Sequence, residues 1–167
     1  MKFVKAIFSG ILVFSTVLAH AQNDEKMIEK QVGLLVSDFN THAFKNMDTY
    51  TTEDVEWVNI VGMHWKGRND VQLAHQRTFD AFFNKGPFTQ KKLVVRLVTP
   101  DVAIAHLTSH VGEFFPPDGI DHGGNKWPES DNLLILVYAK KKGVWLLTAA
   151  QNTVVDARAA ANNPIKN

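Results

Sequence analysis

The 167-residue chain contains no cysteine. Disulfides, thiolate metal ligands, a thiol nucleophile and a lipid-modified cysteine anchor are therefore all excluded, and the fold must be held by its core alone. Charge of either sign is also in short supply, with 18 basic against 17 acidic residues. Such a balance leaves no basic footprint for nucleic acid. The longest apolar run, about Ile7 to Leu18, falls short of the roughly 20 residues that span a bilayer. Several catalytic signatures are missing as well: there is no GxSxG, no HExxH or CxxC, and no GK[ST] sequel to Gly123-Gly124. These gaps remove the usual serine-hydrolase, zinc-site and phosphate-loop readings.

The N-terminus has the plan of a secretory leader. Lys2 and Lys5 precede the apolar run, and Ala19-His20-Ala21 supplies a small-x-small cleavage site. We expect cleavage after Ala21 and export to the periplasm or the medium of a bacterium, with no membrane attachment afterwards. Loss of residues 1–21 removes two lysines and no acidic residue, leaving a formal charge of −1. The remainder, 22–156 with a flexible tail over 157–167, has the size of one domain.

Ile28, Val32, Leu35 and Phe39 recur at spacings of three and four over residues 24 to 46, which predicts a helix, with Asp24 and Glu25 favouring its start. Val55, Trp57, Asn59 and Val61 alternate with Glu56, Val58 and Ile60, which predicts a strand ended by Gly62. Asn69 can cap a second helix whose inner face carries Val71, His75, Phe79 and Phe82. Period-two segments follow: QKKLVVRLV, a turn at Thr99-Pro100-Asp101, VAIAHLTSHVG, and a long hairpin turning at Lys141-Lys142-Gly143. Three prolines and three glycines mark residues 113 to 130 as a loop. Helix, strand, helix and four antiparallel strands make an α+β protein, a curved antiparallel sheet packed on N-terminal helices.

In order and spacing, WVNIVGMHWKGRNDVQLAH, TPDVAIAHL and GVWLLTAAQNT resemble the nuclear transport factor 2-like superfamily. Within it they are similar to the SnoaL-like proteins and, more narrowly, the SgcJ/EcaC group, over about residues 26 to 155. The resemblance implies a cone-shaped (cystatin-like) sheet around a pocket. It implies a fold more than a reaction, because members include isomerases, cyclases, dehydratases and non-enzymatic modules.

On this basis Asn59, His75 and His106 are the candidate catalytic residues. Asn59 stands where isomerase-like members carry an aspartate base, and an amide can orient a substrate but not abstract a proton. His75 lies on the apolar helix face, either as a core histidine or as a proton carrier. His106 matches the family's DVAxxH pattern, whereas His110, nearer the strand end, belongs to the rim. About 13–14 Å separates those two histidines along a strand, so they cannot share a metal ion. No metal and no cofactor is expected. Trp57, Trp65, Val61 and Phe79 are candidate ligand contacts, and Trp127 could join the aromatic wall. Gln151 and Asn152 are adjacent and point to opposite faces, so only one can enter the pocket. Both faces of the last hairpin are apolar enough to be buried, one on the helices and one on a partner subunit. The sequence thus predicts an exported, homodimeric protein for a small apolar or aromatic molecule. The reaction would be a cofactor-free lyase, isomerase or cyclase step; the rival is a binding or dimerisation module whose interior is filled.

Overall fold

A computed structural model describes residues 3–83 and 86–165, with side chains from Ala21 onward. The expected leader therefore lies almost wholly outside the described side chains. Among the described residues no helix is long and apolar enough to cross a membrane.

Helix α1, Phe3–Thr41, sets the predicted stripe of Ile28, Val32, Leu35 and Phe39 into the core. Asp24 and Glu25 are inside this helix rather than in its first turn. Asp24 instead ties the helix to the last hairpin, because its buried carboxylate accepts hydrogen bonds from Lys140 Nζ at 2.6 Å and Trp145 Nε1 at 2.9 Å. A short 3₁₀ turn, Met47–Thr49, leads into strand β1, Thr51–Val58.

This strand begins and ends earlier than its alternation suggests. At its end the Asn59 side-chain carbonyl accepts from the Val61 and Met63 amides at 3.1 and 2.8 Å, and Gly62, at φ 83°, completes the turn. An asparagine closing on the backbone two residues ahead is a turn former that competes with strand continuation. The short strand β2, His64–Lys66, which periodicity alone does not reveal, pairs back on β1. Helix α2, Arg68–Ala81, follows after one residue. Its N-cap is Gly67, not Asn69, because the Gly67 amide still bonds Val55 O at 2.8 Å while its φ of 80° turns the chain into the helix.

The remaining strands are β3, Phe88–Thr99; β4, Val102–Val111; β5, Ser130–Lys141; and β6, Val144–Val154. Lys142 and Gly143 both have positive φ, the mark of a tight two-residue hairpin turn. Strand order is β2-β1-β6-β5-β4-β3, with β1 running parallel to β6 and every other pair antiparallel. The predicted architecture is therefore found, with the first strand inserted beside the last. A helix of one turn and a half, α3, Ala157–Ala161, is capped by the Asp156 carboxylate and follows the sheet with every residue exposed.

Register sorts the side chains into two faces. One continuous row, Val95, Ala105, Leu136, Ala150, Trp57 and Trp65, crosses all six strands and faces the helices. The next row, Val94, His106, Ile135, Gln151, Val58 and His64, faces away. A bulge decides the parity of β6. Tyr138 opposes Leu147 and Val137 opposes Ala149, so Thr148 has no partner and every later side chain changes sides. Trp145 and Leu147 thus share the inner face with Ala150 and Asn152, not with Ala149 and Gln151 as simple alternation predicts.

Candidate functional site

His75 sits at the centre of an aromatic cluster. Its ring lies 4.6 Å from Trp57 and 5.1 Å from Trp65, both nearly edge-on, with Phe44 at 5.1 Å and Phe39 at 5.8 Å. Phe79, one helical turn on, closes the cluster against Phe39 and Phe44. The i, i+4 spacing of Val71, His75 and Phe79 delivers all three inward from α2. His75 Nδ1 is 2.8 Å from Val71 O. A carbonyl only accepts, so Nδ1 carries the proton and Nε2 presents a lone pair. Among the described residues Nε2 has no hydrogen-bond partner. Burial pushes the pKa down to about 4, against a smaller raising effect of the Val71 hydrogen bond. The imidazole is therefore neutral at pH 7.

A second group of polar atoms lies on the same inner face of the sheet. Ser109 on β4 stands directly opposite Asn132 on β5, and Asn152 on β6 is opposite Leu134, the next inward residue of β5. Ser109 and Asn132 are buried, and Ser109 Oγ, Asn132 Oδ1 and Asn152 Oδ1 are enclosed with no hydrogen-bond partner among the described residues. Ser109 and Asn132, directly opposed, bring their Cβ atoms to about 5 Å, and Asn152 lies on the diagonal from Asn132 at about 7–8 Å, so the three form one polar shelf. Asn152 is two residues along β6 from Ala150, the partner of Trp57, which sets the shelf about 7 Å along the sheet from the His75 cluster. Each such atom, desolvated and unpaired, costs the fold about 1–3 kcal/mol. Three together on neighbouring strands are a costly arrangement for a core that only has to pack.

The other predicted residues go elsewhere. The expected convergence of Asn59, His75 and His106 does not occur, since Asn59 is spent on its turn and His106 points to the opposite face of the sheet from the helices. Val61, at 73% exposure, is on the outside of that turn. Gln151 shares the outer row with His106, while Asn152 enters the interior. His110 is also outward, donating from Nδ1 to Asp131 Oδ1 at 2.8 Å, beside Lys91. Trp127 pairs with Phe114 across the 113 to 130 loop and packs on Phe82 at 5.0 Å, holding the loop against the end of α2. Ser109 and Asn132 do not stand out in the sequence. Ser109 is hidden in an alternation dominated by His106 and His110, and Asn132 looks like the polar start of an apolar strand.

Chemically, the His75 cluster and the shelf together offer a neutral imidazole acceptor, two amides and a hydroxyl, with no ionised side chain among these groups; elsewhere in the interior Gln31 Oε1 and Tyr138 Oη are also buried without a partner, and Asp38 accepts from Tyr50 Oη at 2.7 Å. Among the described residues no carboxylate is paired with the His75 ring to stabilise an imidazolium, so the site is better suited to holding a neutral molecule than to removing a strongly held proton. Among the described residues no group of histidines and carboxylates could hold a metal ion. An open groove of about 590 Å³, lined by Thr52, Glu53, Asp54, Arg68, Lys141 and Leu146, shares no residue with either inner cluster. It opens where β1 and β6 slip register between Thr51 and Glu56.

No protein-family model matches the chain, and no curated protein matches it significantly. Solved structures do. A cystatin-like protein from Caulobacter vibrioides is 28% identical with a TM-score of 0.75, covering 84% of this chain and 95% of that one. A hexachlorocyclohexane dehydrochlorinase, LinA type 2, matches at 13% identity and TM-score 0.69, over 83% and 89% of the two chains. A putative scytalone dehydratase from Novosphingobium aromaticivorans matches at 10% and 0.68 over the same shares. Helices packed on a six-stranded, mostly antiparallel sheet give this chain the cystatin-like α+β fold that nuclear transport factor 2-like proteins also have.

Proposed function

We propose that the protein binds a small, uncharged apolar or aromatic molecule between the helices and the inner face of the sheet. The observation that carries this reading is the shelf of Ser109, Asn132 and Asn152, three enclosed polar side chains without partners on adjacent strands. A ligand with an apolar body and one or two hydrogen-bonding groups would satisfy them, the usual composition of a small-molecule site. An ion would lose its hydration with no counter-charge on the shelf to replace it. His75 Nε2 offers one more acceptor. If turnover occurs, it is a cofactor-free lyase, isomerase or cyclase step with His75 moving the proton; the solved proteins of this fold include a dehydrochlorinase and a putative dehydratase. The SgcJ/EcaC resemblance and export by the 1–21 leader belong to the same proposal.

A second reading is favoured by one observation, the four aromatic rings that already surround His75. On that reading the interior is filled and the domain is a non-catalytic module. Thermal-shift screening of residues 22–167 against neutral aromatic and apolar compounds separates the two. The binding reading predicts hits whose shift is lost in Asn132→Leu and kept in Gln151→Leu. Asn132→Leu should itself melt at or above the wild-type temperature, because an unpaired buried amide is replaced by an apolar group. Absence of any hit, or hits indifferent to Asn132→Leu, would favour the filled module.

A further inference from the structure

We propose that the open groove at the seam of β1 and β6 binds a small zwitterion, a free amino acid or a short peptide, with the ligand's carboxylate on Arg68 and its ammonium on Glu53. This inference is independent of the interior ligand. The groove holds about 590 Å³, within the range of small-molecule sites. Its lining carries two carboxylates, Glu53 and Asp54, and two cations, Arg68 and Lys141, with no excess of either sign. Thr52 is buried and Leu146 half-buried, so these two form its base.

The pairing among these four charges selects the ligand. Lys141 Nζ and Asp54 Oδ1 stand 3.9 Å apart, both well exposed, and balance each other loosely at the rim. Arg68 and Glu53 line the same space, yet among the described residues neither makes an ion pair, with the other or with any third group. Two opposite charges that share a hollow without touching leave room between them for a molecule carrying both. A simple anion on Arg68 would also meet the carboxylates of Glu53 and Asp54, and a simple cation on Glu53 would meet Arg68 and Lys141. A zwitterion satisfies both ends.

Arg68 is positioned for this role in advance. Its Nε donates to Thr51 Oγ1 at 3.1 Å and its Nη2 to Thr51 O at 3.0 Å, which fixes the guanidinium against the start of β1. Those bonds use the Nε/Nη2 edge, and the Nη1/Nη2 edge keeps the parallel pair of N–H groups that fits a carboxylate bidentately. The anchor is held without being used up. Holding the arginine beforehand removes part of the side-chain entropy that an exposed ion pair otherwise loses. Leu146 supplies an apolar contact for the ligand's side chain, which favours an aliphatic amino acid over glycine. The groove is open to solvent, so the affinity should be millimolar and should fall with added salt.

Titration of ¹⁵N-labelled protein with L-leucine, N-acetyl-L-leucine, L-leucinamide and leucyl-leucine provides the test, followed at the Arg68 Nε–H signal and the backbone amides of Thr52 and Leu146. The acetyl and amide derivatives keep the aliphatic side chain and lose one charge each. L-leucine or leucyl-leucine should move these signals at millimolar concentration, and each singly charged derivative should bind at least about tenfold more weakly. The tighter of the two zwitterions tells a free amino acid from a peptide. Glu53→Gln, at an exposed position without an ion pair, should bring L-leucine down to the affinity of N-acetyl-L-leucine. Arg68→Gln should abolish binding, with circular dichroism checking the fold because the Thr51 bonds are lost as well. Signals indifferent to both zwitterions, or equal affinities for L-leucine and N-acetyl-L-leucine in the wild type, would overturn the site. An unchanged preference for L-leucine in Glu53→Gln would overturn the assignment of the ammonium partner.

Discussion

At the scale of single residues, His75 is the side chain whose environment most departs from an ordinary one. Its neutral ring is fixed by Val71 O and desolvated by four aromatic neighbours, and its pKa of about 4 lies below the ordinary histidine value of 6.5. Between those two values the unfolded chain takes up a proton that the folded chain refuses. Stability from this residue is therefore complete above about pH 6.5 and is lost as pH falls toward 4, a contribution of up to about 3 kcal/mol. Urea denaturation at pH 7 and pH 4.5 should show a drop in the wild type that is much reduced in His75→Phe. An equal drop in both would mean that His75 does not carry it. The burial of His75 is written in its spacing from Val71 and Phe79, and that spacing alone places it correctly on the inner face of α2. Nothing local in the sequence distinguishes Asn59 as a turn former from Asn59 as a strand residue, since Trp57, Asn59 and Val61 keep an unbroken alternation through the end of β1.

At the scale of elements, the bulge at Thr148 controls the site. Strand β6 is apolar on both sides, Val144 and Leu146 on one and Trp145 and Leu147 on the other, so its sequence gives no warning that parity changes half way along. That is why the choice between Gln151 and Asn152 stays open until the partners of Leu147 and Ala149 are known. Deleting Thr148 should remove the bulge and keep the parity beyond it, because Leu147 and Ala149 then follow each other opposite Tyr138 and Val137, with Ala150 and Asn152 still inward and Gln151 still outward. We expect this variant to fold, at a cost within the roughly 0.5–3 kcal/mol of an ordinary substitution. Thr148→Ala, which keeps the bulge, should cost less than about 1 kcal/mol, its one described side-chain bond being a 3.4 Å contact with Thr52. Thermal melts of the two variants side by side are sufficient, and a deletion variant that fails to fold would refute this account of the strand. The hairpin turn at Lys142-Gly143, in contrast, is legible from the sequence because its positive-φ chemistry is local.

At the scale of the whole molecule, the fold class is accessible from periodicity and from the three quoted segments, while the assembly of the site is not. Sheet order places β1 beside β6, a parallel pairing between segments far apart in the chain, and it is this pairing that sets Trp57 next to Ala150 and so brings the His75 cluster toward Asn152. Long-range register of that kind leaves no mark in a local pattern. It also divides the candidate residues between two surfaces: His75, Trp57, Trp65, Phe79 and Asn152 go to the interior, and His106 and Gln151 to the outer face. The interior then has a polar end and an aromatic end, and its polar end lacks internal partners. The claim at the centre of this account is that a neutral ligand supplies those partners. Side-chain amide resonances report on it directly, because Asn132 and Asn152 face the interior while Asn59 is in the turn and Gln151 on the outer face. Titrating the best thermal-shift hit into ¹⁵N-labelled protein should move the amide signals of Asn132 and Asn152 and leave those of Asn59 and Gln151 in place; movement of the latter pair with the former unchanged would contradict the account.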